Sequence, residues 1–325
     1  MKIAFVSELP QRKKVPRDEP NLRTEFAWMV ALDADHYNIV RDPLPSGYDL
    51  VIVIIPKGEL YLNTVGIRME HDLKNPTSQL LHSNLISDLK VKNAKVGYVQ
   101  EGPNWLFNDY SIDDQFAFYG QLADADIIFA HNLSDQKFYK GMFPGKQVNI
   151  MRTLMLTDNI GKRHKTEDKT LIGGNFAKWY GGFQSFVVAQ NFDNEIWCQD
   201  SHAKQFGEDR IEDLNHYSRL SWIDWIHEIS KFKYAVHLMP TVAAGTFSLN
   251  CAYWGIPCIG NFKVDTQQIC FPDLSVDIDD IASAMECTSC LQEPSFYRDV
   301  TEKALYQFEK YYSEKAWRAH FDEQI

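Results

Sequence analysis

The stretch AAGTFSLNCAYWGIPCIGN, from Ala243 to Asn261, decides how the chain is read. Small residues lead into a helix-forming segment, Ser248–Trp254. Gly255 and Pro257 end it, since glycine suits a left-handed cap and proline cannot continue a helix. Cys258–Gly260 then has the apolar character of a short buried strand. Upstream, Tyr234–Leu238 reads as a strand that delivers the chain to Pro240 and the bare loop 241–245. Strand, small-residue loop, helix and strand together form the unit of a parallel sheet covered by helices. A helix that starts this way offers free N–H groups and partial positive charge, a setting that suits phosphate. Gly245 lets the backbone approach an anion closely, and Thr246 or Ser248 is placed to cap. The plain alternative is a helix–strand corner with Gly and Pro as punctuation.

The same alternation runs outward in both directions. Lys2–Ser7, Leu50–Ile55, Lys95–Gln100 and Ile127–Ala130 read as strands in the first half, and Thr170–Gly173 and Glu195–Cys198 join the two strands above in the second. Leu50–Ile55 is apolar without a break, as a central parallel strand should be. Helices are expected over Asn21–Ala34 with Asn21 as its cap, Gln79–Leu89, Asp113–Ala123, Phe183–Ala189 and Ser221–Ser230, with another capped by Asn132 or Ser134 and one around Ile281–Cys287. Trp222, Trp225 and Ile226 are spaced as a core stripe. Tyr297–Phe321 reads as one long amphipathic helix with Ala304, Phe308, Tyr311 and Tyr312 as packing positions. Charged NIGKRHKTEDK, residues 159–169, is the linker candidate between the halves.

Composition removes several classes. At 325 residues and 45% hydrophobic content the chain can bury a large core. No apolar run reaches the roughly 20 residues of a membrane span, and MKIAFVSELP begins as a strand rather than a signal peptide. A cytoplasmic protein is therefore expected. Net charge is −11, with 17 basic and 20 acidic groups in residues 1–160 against 16 and 24 after them, which argues against a nucleic-acid coat protein. A local basic patch remains at Arg12, Lys13, Lys14 and Arg17. Cys198, Cys251, Cys258, Cys270, Cys287 and Cys290 all lie in the second half and are expected reduced. Cys287 and Cys290 have metal-ligand spacing but need two further ligands, so no metal is assigned. SELPQR follows the first strand where a dehydrogenase would carry Gly-x-Gly-x-x-Gly.

GTFSLNCAYWGIPCIG resembles the donor-phosphate segment of GT-B-fold glycosyltransferases: a small-residue loop, a Glu-Ala pair, then Gly-x-Pro and an apolar strand. Asn250-Cys251 holds the Glu-Ala position, and Gly255-Ile256-Pro257 matches the turn. IGGNFAKWYGGFQSFVVA is similar to the Gly-Arg…Lys-Gly segment that opens the second domain of those enzymes, with Asn175 for Arg, Tyr180 for Lys, and Lys178 two residues earlier. The opening MKIAFVSELP…NLRTEFAWM is similar to phage-encoded glycosyltransferases, some of which modify DNA.

The resemblance implies an α/β, GT-B-like fold: two Rossmann-like domains with parallel sheets facing a cleft, and a C-terminal helix crossing back. Residues 1–158 would be the acceptor-side domain, 159–169 the linker, 170–296 the donor-binding domain, and 297–325 the returning helix. It implies a nucleotide-diphosphate sugar donor, a UDP-sugar, and no obligatory cofactor. The acceptor would be a hydroxymethylated base in phage DNA, placing the protein in the host cytoplasm, or a saccharide. A sugar-nucleotide epimerase on the same fold is the alternative, and a non-catalytic sugar-binding protein stands behind it.

Roles follow from position after strands and, for Asn175, Lys178 and Asn250, from the resemblance. Glu101, His131 and Glu8 end strands of the first half and are candidates for the base. Asn175, Lys178, Gly245, Thr246, Phe247, Ser248 and Asn250 are candidates for the donor phosphate and nucleotide. Asp265, Thr266 and Gln267 are placed for the donor sugar. Arg12, Lys13, Lys14 and Trp105 are candidates for the acceptor, with Phe107 as a second stacking residue.

Overall fold

The structure is a computed structural model that describes all residues except 9–12, 56–79, 101, 106–107, 109, 175, 177–178, 200–206 and 219. Contacts divide the chain into two units. The first holds Met1–Glu19, Thr24–Arg152 and Phe321–Ile325, and the second holds Pro20–Arg23 and Thr153–His320.

The first unit is a six-stranded parallel sheet: β1 Ile3–Ser7, β2 Asp35–Asn38, β3 Leu50–Ile55, β4 Val96–Gln100, β5 Ile127–Ala130 and β6 Gln147–Ile150, in the order β2-β1-β3-β4-β5-β6. Its described helices are α1 Thr24–Ala31, α2 Leu85–Lys92, α3 Ile112–Asp124 and α4 Leu133–Met142. β3 runs through the core, with Leu50, Val51, Ile52 and Val53 fully buried. Val51, Tyr98, Phe118 and Ile128 belong to one apolar cluster. The chain end is stitched to edge strand β6. Ile150 N donates to Gln324 Oε1 at 2.9 Å, and Gln324 Nε2 donates back to Ile150 O at 3.0 Å. Those bonds occupy an edge that would otherwise present open backbone groups.

The second unit is also six-stranded: β7 Lys169–Ile172, β8 Glu195–Gln199, β9 Leu214–Tyr217, β10 Tyr234–His237, β11 Cys258–Asn261 and β12 Ser275–Val276, ordered β12-β11-β10-β7-β8-β9 and parallel throughout. Its helices are α5 Gly182–Ala189, α6 Trp222–Ile229, α7 Thr246–Trp254, α8 Asp265–Cys270, α9 Ile281–Leu291, α10 Pro294–Tyr311 and α11 Glu314–Asp322, the last continuing into the first unit. Trp222, Trp225, Ile226 and Ile229 of α6 are buried, the expected core stripe. Among the described residues, no helix is long and apolar enough to cross a membrane.

Several sequence expectations shift. α1 starts at Thr24, not Asn21, because Arg23 bridges to Met155 and Leu22 O accepts from Leu156 N at 3.1 Å, holding that segment extended. The long tail helix is two helices. Ser313 opens the second, its carbonyl accepting from Trp317 N at 2.9 Å and its hydroxyl from Ala316 N at 3.4 Å, with Glu314 in the first turn. Serine caps and early acids favour a helix start there. Residues 159–169 are bonded along the second unit: His164 N donates to Ser230 Oγ at 2.9 Å, and Glu167 N to Lys231 O at 2.7 Å.

Candidate functional site

β7 lies between β10 and β8. The chain runs outward through β8 and β9, then returns to the other side of β7 for β10, β11 and β12. The order therefore reverses between β7 and β10, and open parallel sheets take ligands beyond the strand C-termini at such a point. α5 follows β7, and α7 follows β10. Both open on a left-handed glycine without a side-chain cap: Gly181 (φ 68°, ψ 26°) and Gly245 (φ 72°, ψ 30°).

Neither position has room for a side chain. A Cβ on Gly181 would lie 2.0 Å from Leu238 O, and one on Gly245 would lie 1.9 Å from Thr266 Oγ1. Neighbouring hydroxyls take the glycine carbonyls and leave the helix amides alone. Thr266 Oγ1 donates to Gly245 O at 2.8 Å. Ser185 Oγ donates to Gly181 O at 2.8 Å and accepts from Leu238 N at 2.9 Å. Two helix starts with their positive ends uncapped thus belong to adjacent strands of one sheet.

Two buried polar atoms nearby have no hydrogen-bond partner among the described residues: Asn250 Oδ1, on α7, and His237 Nε2, at the end of β10. The His237 ring packs edge-on against Phe247, with centroids 4.8 Å apart. Burial pushes its pKa down to about 4, so the imidazole is neutral near pH 7. Sequence reasoning passed over His237, although a histidine closing a strand was the available signal. Trp179 and Tyr180, in the turn just before α5, are 51% and 39% exposed. Asn175 and Lys178 lie outside the described residues.

Three expectations for this region are corrected. Ser248 is not the cap. The helix begins at Thr246, and the buried Ser248 hydroxyl donates to Gln267 Oε1 at 2.9 Å. Gln267 does not face a sugar. It is fully buried, and its Nε2 donates to Cys258 O at 2.8 Å and Leu274 O at 3.3 Å. Thr266 is likewise buried and spent on Gly245. Asp265 is half-buried at the start of α8.

In the first unit the strand order reverses at β1, which lies between β2 and β3. Glu8 follows β1 there, half-buried, with its carbonyl accepting from Asn38 Nδ2 at 3.0 Å. His131 follows β5, is 6% exposed, and stacks on Trp28 at 5.6 Å. β1 and β5 are separated by β3 and β4, roughly 14 Å at about 4.8 Å per step, so these two groups do not share one proton. Beside His131, Asn132 caps α4, and its Nδ2 donates to buried Asp135 at 2.9 Å. Asp135 also accepts from Asn104 Nδ2 at 3.0 Å, which fixes the loop that carries Trp105, itself 41% exposed.

Glu101, Phe107 and Arg12 lie outside the described residues. Lys13 is exposed, and its carbonyl accepts from His36 N at 3.0 Å. Lys14 is held by its own unit, with Nζ 2.9 Å from Asp33 Oδ1 and 3.4 Å from Asp35 Oδ1. Its charge is partly neutralised by these carboxylates, while its side chain stays half exposed.

No family model and no curated protein matches the sequence. Solved structures do match. Sucrose-phosphate synthase from Thermosynechococcus elongatus is similar at a TM-score of 0.64 and 11% identity, over 99% of this chain and 98% of that one. An alpha-glucosyltransferase in complex with UDP and a 13-mer DNA containing an HMU base is similar at a TM-score of 0.64 and 12% identity, over 99% and 98%. The fold is GT-B. A variant of TarM from S. aureus, in complex with fondaparinux, alpha-GlcNAc-glycerol and UDP, is similar at a TM-score of 0.58 and 10% identity, over 84% of this GT-B chain and 55% of that one.

Proposed function

We propose that the chain is a glycosyltransferase that moves a sugar from a UDP-sugar to an acceptor hydroxyl. The observation that carries this reading is the pair of glycine-opened helix starts at the reversal of the second sheet. The diphosphate takes the N–H groups of Gly245, Thr246, Phe247 and Ser248. As the bond from the anomeric carbon to the phosphate oxygen breaks, charge grows on the leaving diphosphate, and the positive end of α7 meets it. Asn175 and Lys178 add an amide and a cation. Asn250 Oδ1, buried and without a hydrogen-bond partner among the described residues, accepts from a ribose hydroxyl. Asp265 contacts the donor sugar. The acceptor oxygen bonds to the anomeric carbon and passes its proton to a base of the first unit, Glu101, with Glu8 or His131 in its place if Glu101 fails.

We put a saccharide hydroxyl first as acceptor. A hydroxymethylated base in DNA is the second reading, favoured by the DNA-bound neighbour. Lys13 and Trp105 would then meet the strand, without Lys14. The test is calorimetry with a panel of nucleotide sugars, followed by release of nucleoside diphosphate with and without glycans or hydroxymethylated DNA. Release that needs an acceptor supports transfer. Interconversion of the sugar without an acceptor would support the epimerase instead, and no binding of any nucleotide sugar sinks both.

A further inference from the structure

β8 and β9 pair in parallel with Cys198 opposite His216. Their strand neighbours Trp197 and Tyr217 pack as a tilted pair on the other face, with centroids 4.7 Å apart. The 3₁₀ turn Glu208–Arg210, entered through left-handed Gly207 (φ 88°), brings a carboxylate back over the first face. Glu208 Oε1 lies 3.1 Å from His216 Nε2. A thiol sulfur, a carboxylate oxygen and an imidazole nitrogen all fall within 4.8 Å of one another. Cys198 is fully buried and Glu208 is 4% exposed.

We propose that Cys198, Glu208 and His216 bind Zn2+, which clips the 208–210 turn to strands β8 and β9. The donor set selects the ion. Magnesium and calcium take oxygen ligands, whereas thiolate with imidazole suits zinc. Tetrahedral zinc, with bonds of about 2.0–2.3 Å, places its ligand atoms roughly 3.3–3.6 Å apart, a spacing this cluster reaches with small side-chain movements. Three protein ligands leave the fourth position to water. Binding displaces the Cys198 thiol proton to solvent, so the sulfur coordinates as thiolate and nothing is oxidised. The spacing of residues 198, 208 and 216 is no familiar motif, since the ligands meet only when the strands pair. Cys287 and Cys290, which have motif spacing, lie on α9 with Cys290 exposed, and among the described residues neither joins a three-ligand cluster. The site does not depend on the proposed transferase activity.

The experiment titrates reduced, metal-stripped full-length protein with Zn2+ against a chromophoric chelator, and separately with Co2+. One equivalent of tight zinc is expected, with a thiolate-to-cobalt charge-transfer band. Even outer-shell mutations cost 10–100-fold in metal affinity, so Cys198→Ser and His216→Gln should each weaken zinc by about 100-fold or more, while Cys287→Ser leaves it unchanged. If a variant does not fold, the wild-type titration decides. Absence of stoichiometric zinc, a cobalt spectrum without the thiolate band, or full affinity in both ligand variants overturns the proposal.

Discussion

The Thr266 hydroxyl lies 2.8 Å from Gly245 O and occupies the space a Gly245 side chain would need, 1.9 Å from the position of its Cβ. Glycine at this helix start is therefore required twice, by its left-handed backbone and by its neighbour. Gly245→Ala should cost about 1–2 kcal/mol from backbone conformation alone, and more from displacing Thr266. Adding Thr266→Ala should recover only a share of the second part, because Val264 Cγ1 would still lie 2.8 Å from the added Cβ. Urea unfolding of the single and double variants measures both, and complete rescue would mean that the backbone conformation carries no strain.

Gly181→Ala should behave differently. Its Cβ would meet the Leu238 carbonyl at 2.0 Å, a backbone atom that no side-chain substitution removes. A larger loss than for Gly245→Ala is expected, without a rescuing partner. Chemical denaturation of both variants in parallel makes the comparison.

Gln267→Leu tests the correction at the donor side. It removes the acceptor of the Ser248 hydroxyl and the donor to Cys258 O and Leu274 O, all inside the second unit. Buried groups left without partners cost about 1–3 kcal/mol each. The midpoint of unfolding should fall by several degrees, with UDP affinity in the folded variant within about threefold of wild type. A selective loss of sugar affinity at unchanged stability would return Gln267 to the donor pocket.

Stability should decline on mild acidification. Burial pushes His36 down to about 4, with Asp42 opposing, and burial does the same to His237. An unfolded histidine titrates near 6.5. Between pH 4 and 6.5 the unfolded chain binds more protons at these sites, so stability rises with pH there. Lowering the pH through this window costs up to about 1.4 kcal/mol per pH unit for each histidine, and below pH 4 the contribution is flat. Urea unfolding at several pH values reads the slope, and His36→Asn should reduce it.

For the proposed transfer, Glu101→Gln should lower kcat about 100-fold or more with donor Kd unchanged. Glu8→Gln and His131→Asn provide the comparison. Steady-state kinetics with calorimetry separates the three, and full turnover in Glu101→Gln passes the role to Glu8 or His131.

The central strands were legible because neighbours on both sides and helices above and below force an unbroken apolar run, as in Leu50–Ile55. The strands missed were β2, β6, β9 and β12, the outer strands of the two sheets. An outer strand has one open side, so DHYN and LNHY keep polar residues and lose the pattern. The candidate site was half legible. Gly245 and the helix behind it showed in composition, but nothing local revealed that Gln267 turns inward to Ser248 or that Asp33 holds Lys14.

By itself the sequence determined the alternation of buried strands and amphipathic helices, and a helix that must start on glycine, because both are short-range consequences of residue type. Only the tertiary structure decided that the Gly181 and Gly245 turns share one edge. β7 and β10 lie more than fifty residues apart in the chain. They become neighbours because the chain, after two strands on one side, crosses back to pair on the other. That long-range pairing brings two uncapped helix starts together, and no local pattern of residues encodes it.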